Sequence, residues 1–571
     1  MGDAHFLLAD ALGFPQEESM LDRLHRWAEH EPARGRLERV ECLARGEFRT
    51  TSFTAPELLQ GAARAAGALW DLGVRAGDRV VLCLPNREPF AHAFLGAQWL
   101  GAAPVPLPPL GLMTAPGALL ERIRGVMADC APSALVADAT TLGSLRALDP
   151  GALGGRPALE PAELLAGEPP LRGRNRPEHP ALIQYTSGSV TTPRGVVVTH
   201  GNLGANLTAI ARRGAFEQSE RLVSWLPGFH DMGLIGGLLI ALHHGHVLFW
   251  MAAQDFLSRP PVWLRAISHF RANLSGAPNS AYRLCLRMAK DRALGEIDLS
   301  SWRWAFCGAE PVDATTMRGF AETFRRYGFP RNALHPVYGL AEGTLAATFP
   351  DAGEPWHVDR VDRDALAEGQ AVPANGERVV ELVSVGRAMP GHEVRVVDPA
   401  TGEELGERRT GEIVYAGPSV TPGYHGQPPR EGPVLRTGDL GYVAEGRLYV
   451  VDRIKDLIII GGRNVSPVDV ERAAQVEGVR MGRVVALGVP DPEQGTEAVV
   501  VLVEPSERKP EALAALRARV DRVLREERGL APKEIVLLPA GTLERTSSGK
   551  LMRRRMRDRY LGGELAALAL G

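Results

Sequence analysis

The apolar and polar positions of the chain alternate between a helical and a strand period from about residue 54 onwards. Residues 55–72 are rich in Ala and Leu at helical spacing, and residues 90–101 repeat that pattern. Apolar runs at residues 79–85 and 103–107 have the length and composition of buried strands. Strands that alternate with helices favour βαβ units, in which helices cover a mostly parallel sheet.

The pattern changes after Gly386. Strand-like runs at residues 392–398, 411–415 and 446–451 are separated by Gly and Asp turns, which is typical of a small β-rich subdomain. A charged break at residues 452–456 then separates two apolar strands, and the stretch beyond it has the size of an independent domain.

The chain has 571 residues, which is more than one hydrophobic core usually holds. We therefore predict an α/β protein whose large N-terminal domain, residues 1–452, has mixed and parallel sheets flanked by helices plus the β-rich subdomain. A hinge joins it to a small, mobile α+β C-terminal domain, residues 453–571. Residues 140–180 are rich in Gly, Pro and Leu, which predicts a loosely structured connection.

Composition and charge narrow the class of protein. A net charge of −3 gives no support for a nucleic-acid partner. The five cysteines are scattered and lack zinc-site spacing, which fits reduced thiols in a cytoplasmic protein. Three histidines interrupt the most apolar stretch, residues 234–250, so we expect no membrane span. The basic run at residues 553–559 is either a solvated helix face or a docking patch for an acidic partner.

The segment from Tyr185 to Gly195 (YTSGSVTTPRG) is rich in hydroxyl side chains and glycine, and it lies directly before a β-branched strand. Glycine lets the backbone approach a ligand, and N–H groups and hydroxyls can surround phosphate oxygens. No Lys-Ser or Lys-Thr pair closes the run, so it is not the GxxxxGK[ST] phosphate loop. A polar hairpin turn is the alternative interpretation.

Two further segments carry side chains suited to a nucleotide. Tyr338 and Glu342 flank a glycine turn, where a ring can stack on a base and a carboxylate can hold Mg²⁺ bridging phosphates. Residues 306–311 (FCGAEP) place a glycine and an acid at a predicted strand end, where open α/β sheets bind ligands. His230 lies beside two glycines, although an isolated histidine is more often structural.

Two polar turns complete the candidate residues. Asp439 in RTGDLG is suited to accept hydrogen bonds from both ribose hydroxyls, although Gly-Asp is also common in β-turns. Lys550 in RTSSGK presents a compact ammonium on a flexible stem, which suits pairing with a carboxylate and a phosphate.

Taken in order, these segments resemble the adenylate-forming superfamily of acyl-CoA synthetases, peptide-synthetase adenylation domains and luciferases. The resemblance covers roughly residues 50–560. It rests on the ordered motifs YTSGS…PRGV, SWLPGFHDMGL, FCGAEP, YGLAEGT, RTGDLG, DRIKDLIIIGGRN and RTSSGK.

Within that superfamily the chain is most similar to fatty acyl-AMP ligases. The similarity lies in three motifs that closely resemble those of that branch, namely SWLPGFHDMGLIGGLL, SGAPNSAYRLC and GAEPV. Residues 349–385 resemble the insertion typical of these ligases, which is associated with poor use of CoA. A surface loop peculiar to this lineage is the alternative.

The resemblance implies a role for each matching residue. It implies ATP and Mg²⁺ as cofactors, Lys550 as the catalytic lysine, Glu342 as the Mg²⁺ ligand, and Lys455 as the hinge. His230 would lie where the acyl and nucleotide pockets meet. The remaining nucleotide-binding positions are Thr186, Ser187, Gly188, Ser189 and Gly195 in the phosphate loop, Gly308, Ala309, Glu310 and Tyr338 around adenine, Gly339 beside them in the chain, Asp439 at the ribose, and Arg453 at the ribose or phosphate region.

The sequence departs from the family pattern at three positions. Val190 replaces a usual threonine of the phosphate loop, which predicts the loss of one phosphate-contacting hydroxyl. Arg194 replaces a common lysine but keeps the charge, and Ser280 stands where an aromatic residue is frequent. We expect an active enzyme, because Lys550 and Glu342 are intact.

The implied reaction activates a fatty or related carboxylic acid as its adenylate. The acyl group would then pass to the phosphopantetheine thiol of an acyl carrier protein. The alternatives are an acyl-CoA synthetase and a non-catalytic adenylate-binding module, of which Lys550 disfavours the second. A serine hydrolase built on Ser547 and Lys550 lacks the SDN partner that such a site requires.

Overall fold

The computed structural model describes most of the chain. The described residues are 18–43, 46–110, 116–149, 151, 153–186, 193–216, 220–289, 294–376, 378–461, 463–545 and 551–570. The predicted site residues Ser187, Gly188, Ser189 and Lys550, together with Val190, lie outside them.

Several helices begin or end at recognisable capping residues. At the start of the second helix, the Thr54 backbone N–H and hydroxyl both donate to Glu57, and the fifteenth helix ends at the left-handed Gly529. In chain order the helices are α1 Met20–His30, α2 Ala55–Asp71, α3 Glu88–Trp99, α4 Pro116–Cys130, α5 Ala139–Leu148, α6 His200–Gly214, α7 Asp231–Gly233, α8 Ile240–His244, α9 Ala253–Ser258, α10 Pro261–Phe270, α11 Asn279–Ala289, α12 Ala314–Phe324, α13 Arg363–Ala367, α14 Pro467–Ala473, α15 Pro510–Arg528 and α16 Arg553–Leu561.

The strands are mostly short. They are β1 Arg36–Cys42, β2 Phe48–Phe53, β3 Arg79–Cys83, β4 Ala103–Pro106, β5 Ala134–Ala137, β6 Ala158–Leu159, β7 Pro180–Thr186, β8 Arg194–Thr199, β9 Arg221–Ser224, β10 Val247–Met251, β11 Leu274–Ala277, β12 Trp304–Cys307, β13 Leu334–Pro336, β14 Tyr338–Gly339, β15 Ala346–Phe349, β16 Val358–Asp362, β17 Val379–Val383, β18 Arg387–Ala388, β19 Glu393–Val397, β20 Gly411–Ala416, β21 Val434–Ala444, β22 Arg447–Arg453, β23 Ile458–Ile460, β24 Arg463–Val465, β25 Val479–Asp491, β26 Thr496–Pro505 and β27 Glu534–Leu537.

Two sheets of mainly parallel strands form the framework of the large part of the molecule. One runs in the order β13-β12-β11-β9-β10-β1-β2, with all neighbours parallel except β1 and β2. The other runs in the order β4-β3-β5-β6 and is parallel throughout. Apart from β1 and β2, their strands are largely apolar, as is typical of strands covered by helices, and the cores hold fully buried aromatics such as Trp250, Trp263 and Trp302.

The β-rich stretch consists of antiparallel sheets. Strands β19-β20-β21-β22 form one sheet, and β14-β15-β18 form another. Residues 349–385 contain the hairpin of β16 and β17, with α13 in the chain between them. This stretch is therefore an ordered substructure, which we call the insertion hairpin (β16, α13 and β17).

The C-terminal part carries an α+β arrangement. Strands β25 and β26 are antiparallel, β27 joins β26 in parallel, and α15 packs its buried Leu513, Leu516, Val520 and Leu524 in the same core as this sheet. Arginines of the basic run form ion pairs within this part, namely Arg553 with Glu471, Arg557 with Glu497, and Arg555 and Arg559 with Glu544. This pairing leaves less of the run for an acidic partner than its sequence indicates.

The structure confirms the α/β class and most predicted elements. Residues 55–72 and 90–101 are helical as α2 and α3, and the predicted strands appear as β3, β4, β19, β20 and β22. The prediction of a loose connection at residues 140–180 is wrong at its start, because α5 occupies residues 139–148. Asp138 caps this helix through the Thr141 N–H, and Leu142 and Leu145 are buried one turn apart.

Two further predictions concern the cysteines and a membrane span. The five cysteines all lie in described stretches and form no disulfide, and all but the half-buried Cys42 are buried. No helix in the described ranges is long and apolar enough to cross a membrane. The division into domains at residue 452 stays a prediction.

Candidate adenylation site

The candidate segments follow neighbouring strands of the large parallel sheet. His230 comes six residues after β9 ends, Gly308 directly follows β12, and Tyr338 lies two residues beyond the end of β13. Strand β12 pairs with β13 on one side and with β11 on the other, and β11 pairs with β9. Parallel strands end at the same edge of a sheet, so these predicted site residues gather at one edge.

The loop after β12 is tightly constrained. A Cβ atom at Gly308 would lie 2.6 Å from Val337 Cγ2 and 2.9 Å from the Val337 carbonyl oxygen, so this position requires glycine. Ala309 follows in the left-handed region with φ of +65°. Glu310 accepts a hydrogen bond from the backbone N–H of Ser280, which joins two segments predicted separately.

A bulged turn presents Asp439. The Glu412 carboxylate accepts hydrogen bonds from Arg436 Nε at 2.7 Å and from the Gly438 N–H at 3.1 Å. Gly438 has φ of +73°, which favours glycine, and the Thr437 hydroxyl accepts from the Asp439 N–H. The conformation of the RTGDLG motif thus depends on Glu412, a residue that the sequence analysis did not single out.

Asp439 lies between two donors that the sequence analysis also predicted. One carboxylate oxygen accepts a hydrogen bond from the Tyr338 hydroxyl at 2.6 Å, and the other accepts from Arg453 Nε at 2.9 Å. Burial, together with the neighbouring Asp439, raises the pKa of Tyr338 well above its ordinary value. The Asp439 charge likewise raises the pKa of Arg453. Since each carboxylate oxygen can accept about two hydrogen bonds, acceptor capacity remains for a ligand.

Glu342 belongs to a second network. It lies in a single 3₁₀ turn, Ala341–Gly343, and Oε1 accepts a hydrogen bond from the Tyr424 hydroxyl at 2.8 Å. Burial and the adjacent Glu342 raise the pKa of Tyr424 to about 12, so the phenol stays a donor at neutral pH. The Arg194 guanidinium lies 5.4 Å from the centre of the Tyr424 ring.

Strands β7 and β8 flank the predicted phosphate loop. They form an antiparallel hairpin in which Tyr185 is paired with Gly195 and Thr186 with Arg194. A Cβ atom at Gly195 would lie 2.8 Å from Cζ of the Tyr185 ring, so glycine is required there. The Gly195 carbonyl accepts from the His425 N–H at 2.7 Å.

His230 occupies the N-cap of α7, with its ring centre 4.7 Å from that of Phe229. Beyond α7 the helix continues as a π-helix, Leu234–Leu239, a distortion that is frequent at functional sites. Gly276 on β11 lies against Met232, since a Cβ atom there would be 3.1 Å from Met232 Cε.

The predicted hinge is a single 3₁₀ turn, Ile454–Asp456, in which Lys455 is exposed. Just before it, Asp452 is buried and accepts hydrogen bonds from the Ser466 hydroxyl and the Arg453 N–H. Burial raises the pKa of Asp452 to about 6. Beyond the hinge, Arg545 lies within range of the Glu310 charge, which opposes the lowering of the pKa of Arg545 by burial.

Comparison with known proteins decides the family. The profile of the AMP-binding enzyme family matches residues 24–425. The chain belongs to the AMP-binding enzyme family. It is 32% identical to the medium-chain-fatty-acid–[acyl-carrier-protein] ligase JamA of Moorena producens, over 96% of each chain.

Two further similarities bear on the branch within the AMP-binding enzymes. A Caulobacter vibrioides protein carrying the name acyl-CoA synthetase is 36% identical over 87% of this chain and 88% of its own. A solved structure from a study of fatty acyl-adenylate ligases of E. coli and L. pneumophila has a TM-score of 0.88 and 34% identity, and covers 97% of this chain and 99% of its own.

The side chains near Glu342 are compatible with the magnesium that AMP-binding enzymes generally use. The described residues contain no group of three or more His, Cys, Asp or Glu side chains that could hold a metal ion by themselves. Mg²⁺ usually keeps several of its waters and binds one or two carboxylates together with substrate phosphates. Tyr424 donates to one oxygen of Glu342, and the carboxylate keeps acceptor capacity for a cation.

Sequence reasoning missed two residues that contact members of this candidate site. Glu412 fixes the turn of Asp439, and Tyr424 contacts both Glu342 and Arg194. Tyr424 follows Pro422 and Gly423, a Pro-Gly pair that marks a turn but gives no indication of its neighbours in space.

Proposed function

We propose that this protein activates a fatty carboxylic acid with ATP and passes the acyl group to the phosphopantetheine thiol of an acyl carrier protein. The observation that carries the proposal is the Tyr338–Asp439–Arg453 network in a chain of the AMP-binding enzyme family. This network offers a carboxylate for the ribose beside a ring for the base.

In the first half-reaction a carboxylate oxygen of the fatty acid attacks the α-phosphorus of ATP. The new P–O bond forms as the bond to the β-phosphate oxygen breaks, and pyrophosphate leaves with the electron pair. Such phosphoryl transfer depends on positioning and on charge neutralisation more than on covalent help from the protein.

Each residue then has a definite task. Asp439 orients the ribose, Tyr338 packs against the base, and the N–H groups and hydroxyls of residues 186–195 hold the departing phosphates. Glu342 would hold the Mg²⁺, which supplies positive charge to those phosphates when bound. Lys550 would neutralise the charge that develops between carboxylate and phosphate.

In the second half-reaction the phosphopantetheine thiolate attacks the carbonyl carbon of the adenylate. The C–S bond forms, the C–O bond of the mixed anhydride breaks, and AMP leaves. We place a rotation of the C-terminal part about Lys455 between the two half-reactions. Lys550→Ala should therefore abolish adenylate formation and spare transfer from a preformed adenylate.

The insertion hairpin supports a carrier protein over CoA as acceptor. Nε of Arg363, on α13, lies 3.3 Å from Oδ2 of Asp469, on α14. Nη1 of Arg363 donates to the Glu527 carbonyl oxygen at 2.9 Å. On its other side, Asp359 of β16 contacts Arg408 and the Tyr442 hydroxyl, each at 2.9 Å. A hairpin that contacts both the N-terminal and the C-terminal part restrains rotation of the C-terminal part. A docked carrier protein can offset that restraint, because it offers a larger contact area than CoA does.

Acyl-CoA synthetase is the second candidate, because the Caulobacter vibrioides relative carries that name. The purified protein should be given ATP, Mg²⁺, a fatty acid and either CoA or a phosphopantetheinylated carrier protein. We expect the carrier thioester to form much faster. A CoA thioester formed at the same rate would reverse the choice of acceptor.

The substrate is found by pyrophosphate exchange into ATP over carboxylic acids of graded length. Exchange that depends on a fatty acid tests the adenylation step by itself, before any acceptor is chosen. No exchange with any acid, from a protein that still binds ATP, would favour the non-catalytic module.

A further inference from the structure

One face of α4 touches the chain on both sides of the predicted phosphate loop. Arg122, Gly125 and Asp129 stand at positions i, i+3 and i+7 of α4, so they share one face of the helix. None of them entered the sequence analysis, and they lie 60 or so residues before the loop.

Two of the three contacts reach the strand that leads into the loop. Arg122 Nη2 donates to the Tyr185 carbonyl oxygen at 3.3 Å, and Asp129 accepts a hydrogen bond from the Tyr185 hydroxyl. Burial, with Asp129 beside it, raises the pKa of Tyr185, so the phenol remains a donor. The Tyr185 ring also forms the surface against which Gly195 packs.

The third contact reaches the chain after the loop. A Cβ atom on Gly125 would lie 2.9 Å from Pro193 Cγ, which is closer than real side chains come. Glycine at this helical position costs about 1 kcal/mol of helix propensity relative to alanine, so its presence needs a packing reason. Close approach of α4 to Pro193 supplies that reason.

The helix is itself held firmly. Ile123, Val126, Met127 and Cys130 are buried in the core that also contains β3, β5 and the Tyr185 ring. On the opposite side, β8 is tied to the segment around Tyr424, since the Val197 N–H donates to the Gly423 carbonyl at 2.9 Å. The two ends of the loop are therefore supported between α4 and the segment that also contacts Glu342.

We propose that Arg122, Gly125 and Asp129 are positioning residues for adenylate formation. They set the spacing of Tyr185 and Pro193, the described residues that flank the predicted phosphate loop. The inference rests on the proposed adenylation reaction. It assigns these residues a role in holding ATP that is distinct from a role in folding.

The sharpest test replaces one glycine and uses another glycine of α4 as its control. Gly125→Ala adds a methyl group against Pro193, whereas Gly117→Ala adds the same group to the same helix where nothing lies within 4 Å. Both variants gain helix propensity. We expect Gly125→Ala to raise KM for MgATP in pyrophosphate exchange about tenfold, since sub-ångström misplacement is costly in such sites.

A second ligand separates positioning from damage to the fold. An acyl-sulfamoyl-adenosine carries the acyl group and the nucleoside but no β- and γ-phosphates. Gly125→Ala should bind this probe as Gly117→Ala does, when both are measured by calorimetry. Equal KM values for MgATP in the two variants would overturn the inference, and so would parallel losses for MgATP and the probe.

Arginines of α4 give an independent pair of variants. Arg122→Ala removes the contact with Tyr185, whereas Arg124→Ala removes an exposed pair with Asp149 on another face. The first should raise KM for MgATP and the second should not. Asp129→Asn should retain the wild-type KM, because its amide oxygen still accepts from Tyr185, and Asp129→Ala should not. Absence of exchange in the wild-type protein would instead count against the proposed function.

Discussion

Asp439 in the candidate site and Asp469 at the insertion hairpin are both carboxylates placed between two donors. Asp439 accepts from Tyr338 and Arg453, and Asp469 pairs with Arg363 at 3.3 Å and with Arg528 at 3.2 Å. Asp439 on β21 and Arg453 on β22 are cross-strand partners in one antiparallel sheet, which fixes their relative position.

The partners of Asp469 belong to different parts of the molecule. Arg363 lies on the insertion hairpin before the predicted hinge, while Asp469 and Arg528 lie after it. The proposed rotation about Lys455 would therefore leave the Asp439 network together but separate Arg363 from Asp469. We propose that a carboxylate binds a substrate at Asp439 and stabilises one conformation at Asp469. The difference is that the partners of Asp439 all precede the predicted hinge, whereas those of Asp469 lie on both sides of it.

Breaking the Asp439 network should have the largest effect. Asp439→Ala removes the proposed ribose acceptor and the carboxylate to which Tyr338 and Arg453 donate. Because hydrogen bonds to charged groups contribute about 1.5–3 kcal/mol, we expect pyrophosphate exchange to fall by about 100-fold. Asp469→Ala should leave exchange nearly unchanged, and an equal loss in both variants would remove the distinction between the two networks.

Titration of Asp452, which lies just before the predicted hinge, should make the stability of the protein depend on pH. Its folded-state pKa of about 6 lies above the ordinary value of 3.8, so the folded protein binds this proton more tightly than the unfolded chain. Its stabilising contribution is thus present below pH 4 and is lost as the pH rises through 6.

Asp452→Asn keeps the shape of this side chain without its charge. Relative to wild type, the variant should gain about 2–3 kcal/mol in free energy of unfolding between pH 4 and pH 7.5. Urea unfolding at both pH values measures this difference. A difference that does not change with pH would show that Asp452 titrates like an exposed carboxyl.

Shortening the insertion hairpin should raise the use of CoA. Asp362 and Val379 are paired at the loop end of the hairpin, so an Asn-Gly turn can replace residues 363–378 and join β16 directly to β17. We expect CoA thioester formation to rise about tenfold, because the tie to the C-terminal part is gone. Unchanged CoA activity in a protein with normal pyrophosphate exchange would contradict this.

A single ion pair should give the smallest effect. Arg363→Ala removes the contact with Asp469. An ion pair of this kind contributes about 0.2–1 kcal/mol, which predicts a rise of about 1.4- to 5-fold in CoA use relative to carrier. Arg378→Ala is the matched control, because Arg378 pairs with Asp364 within the insertion hairpin and is 80% exposed. Identical ratios in the two variants would mean that Arg363 does not restrain the C-terminal part.

The sequence predicts these regions unequally. Periodicity located α2, α3, β3 and β4, because each buries a regular set of apolar positions. It missed α5, because the Gly- and Pro-rich sequence that follows this helix favoured a loop for the whole stretch.

Among the candidate site residues, local motifs indicated Asp439 and Glu342, since both lie in glycine turns. Tyr424 and the grip of Arg363 on Asp469 depend on contacts between residues about 80 to 100 positions apart, and no local pattern carries that information.

The close packing of Gly339 bears on how mutations of this protein are interpreted. A Cβ atom there would lie 1.8 Å from the Leu345 carbonyl oxygen, so every other amino acid must displace the backbone that carries Glu342. In a screen that scores activity, Gly339 and Glu342 would both look indispensable. Measuring the amount of folded protein separates them, because changes at Gly339 deplete the enzyme whereas Glu342→Gln leaves it abundant and inactive.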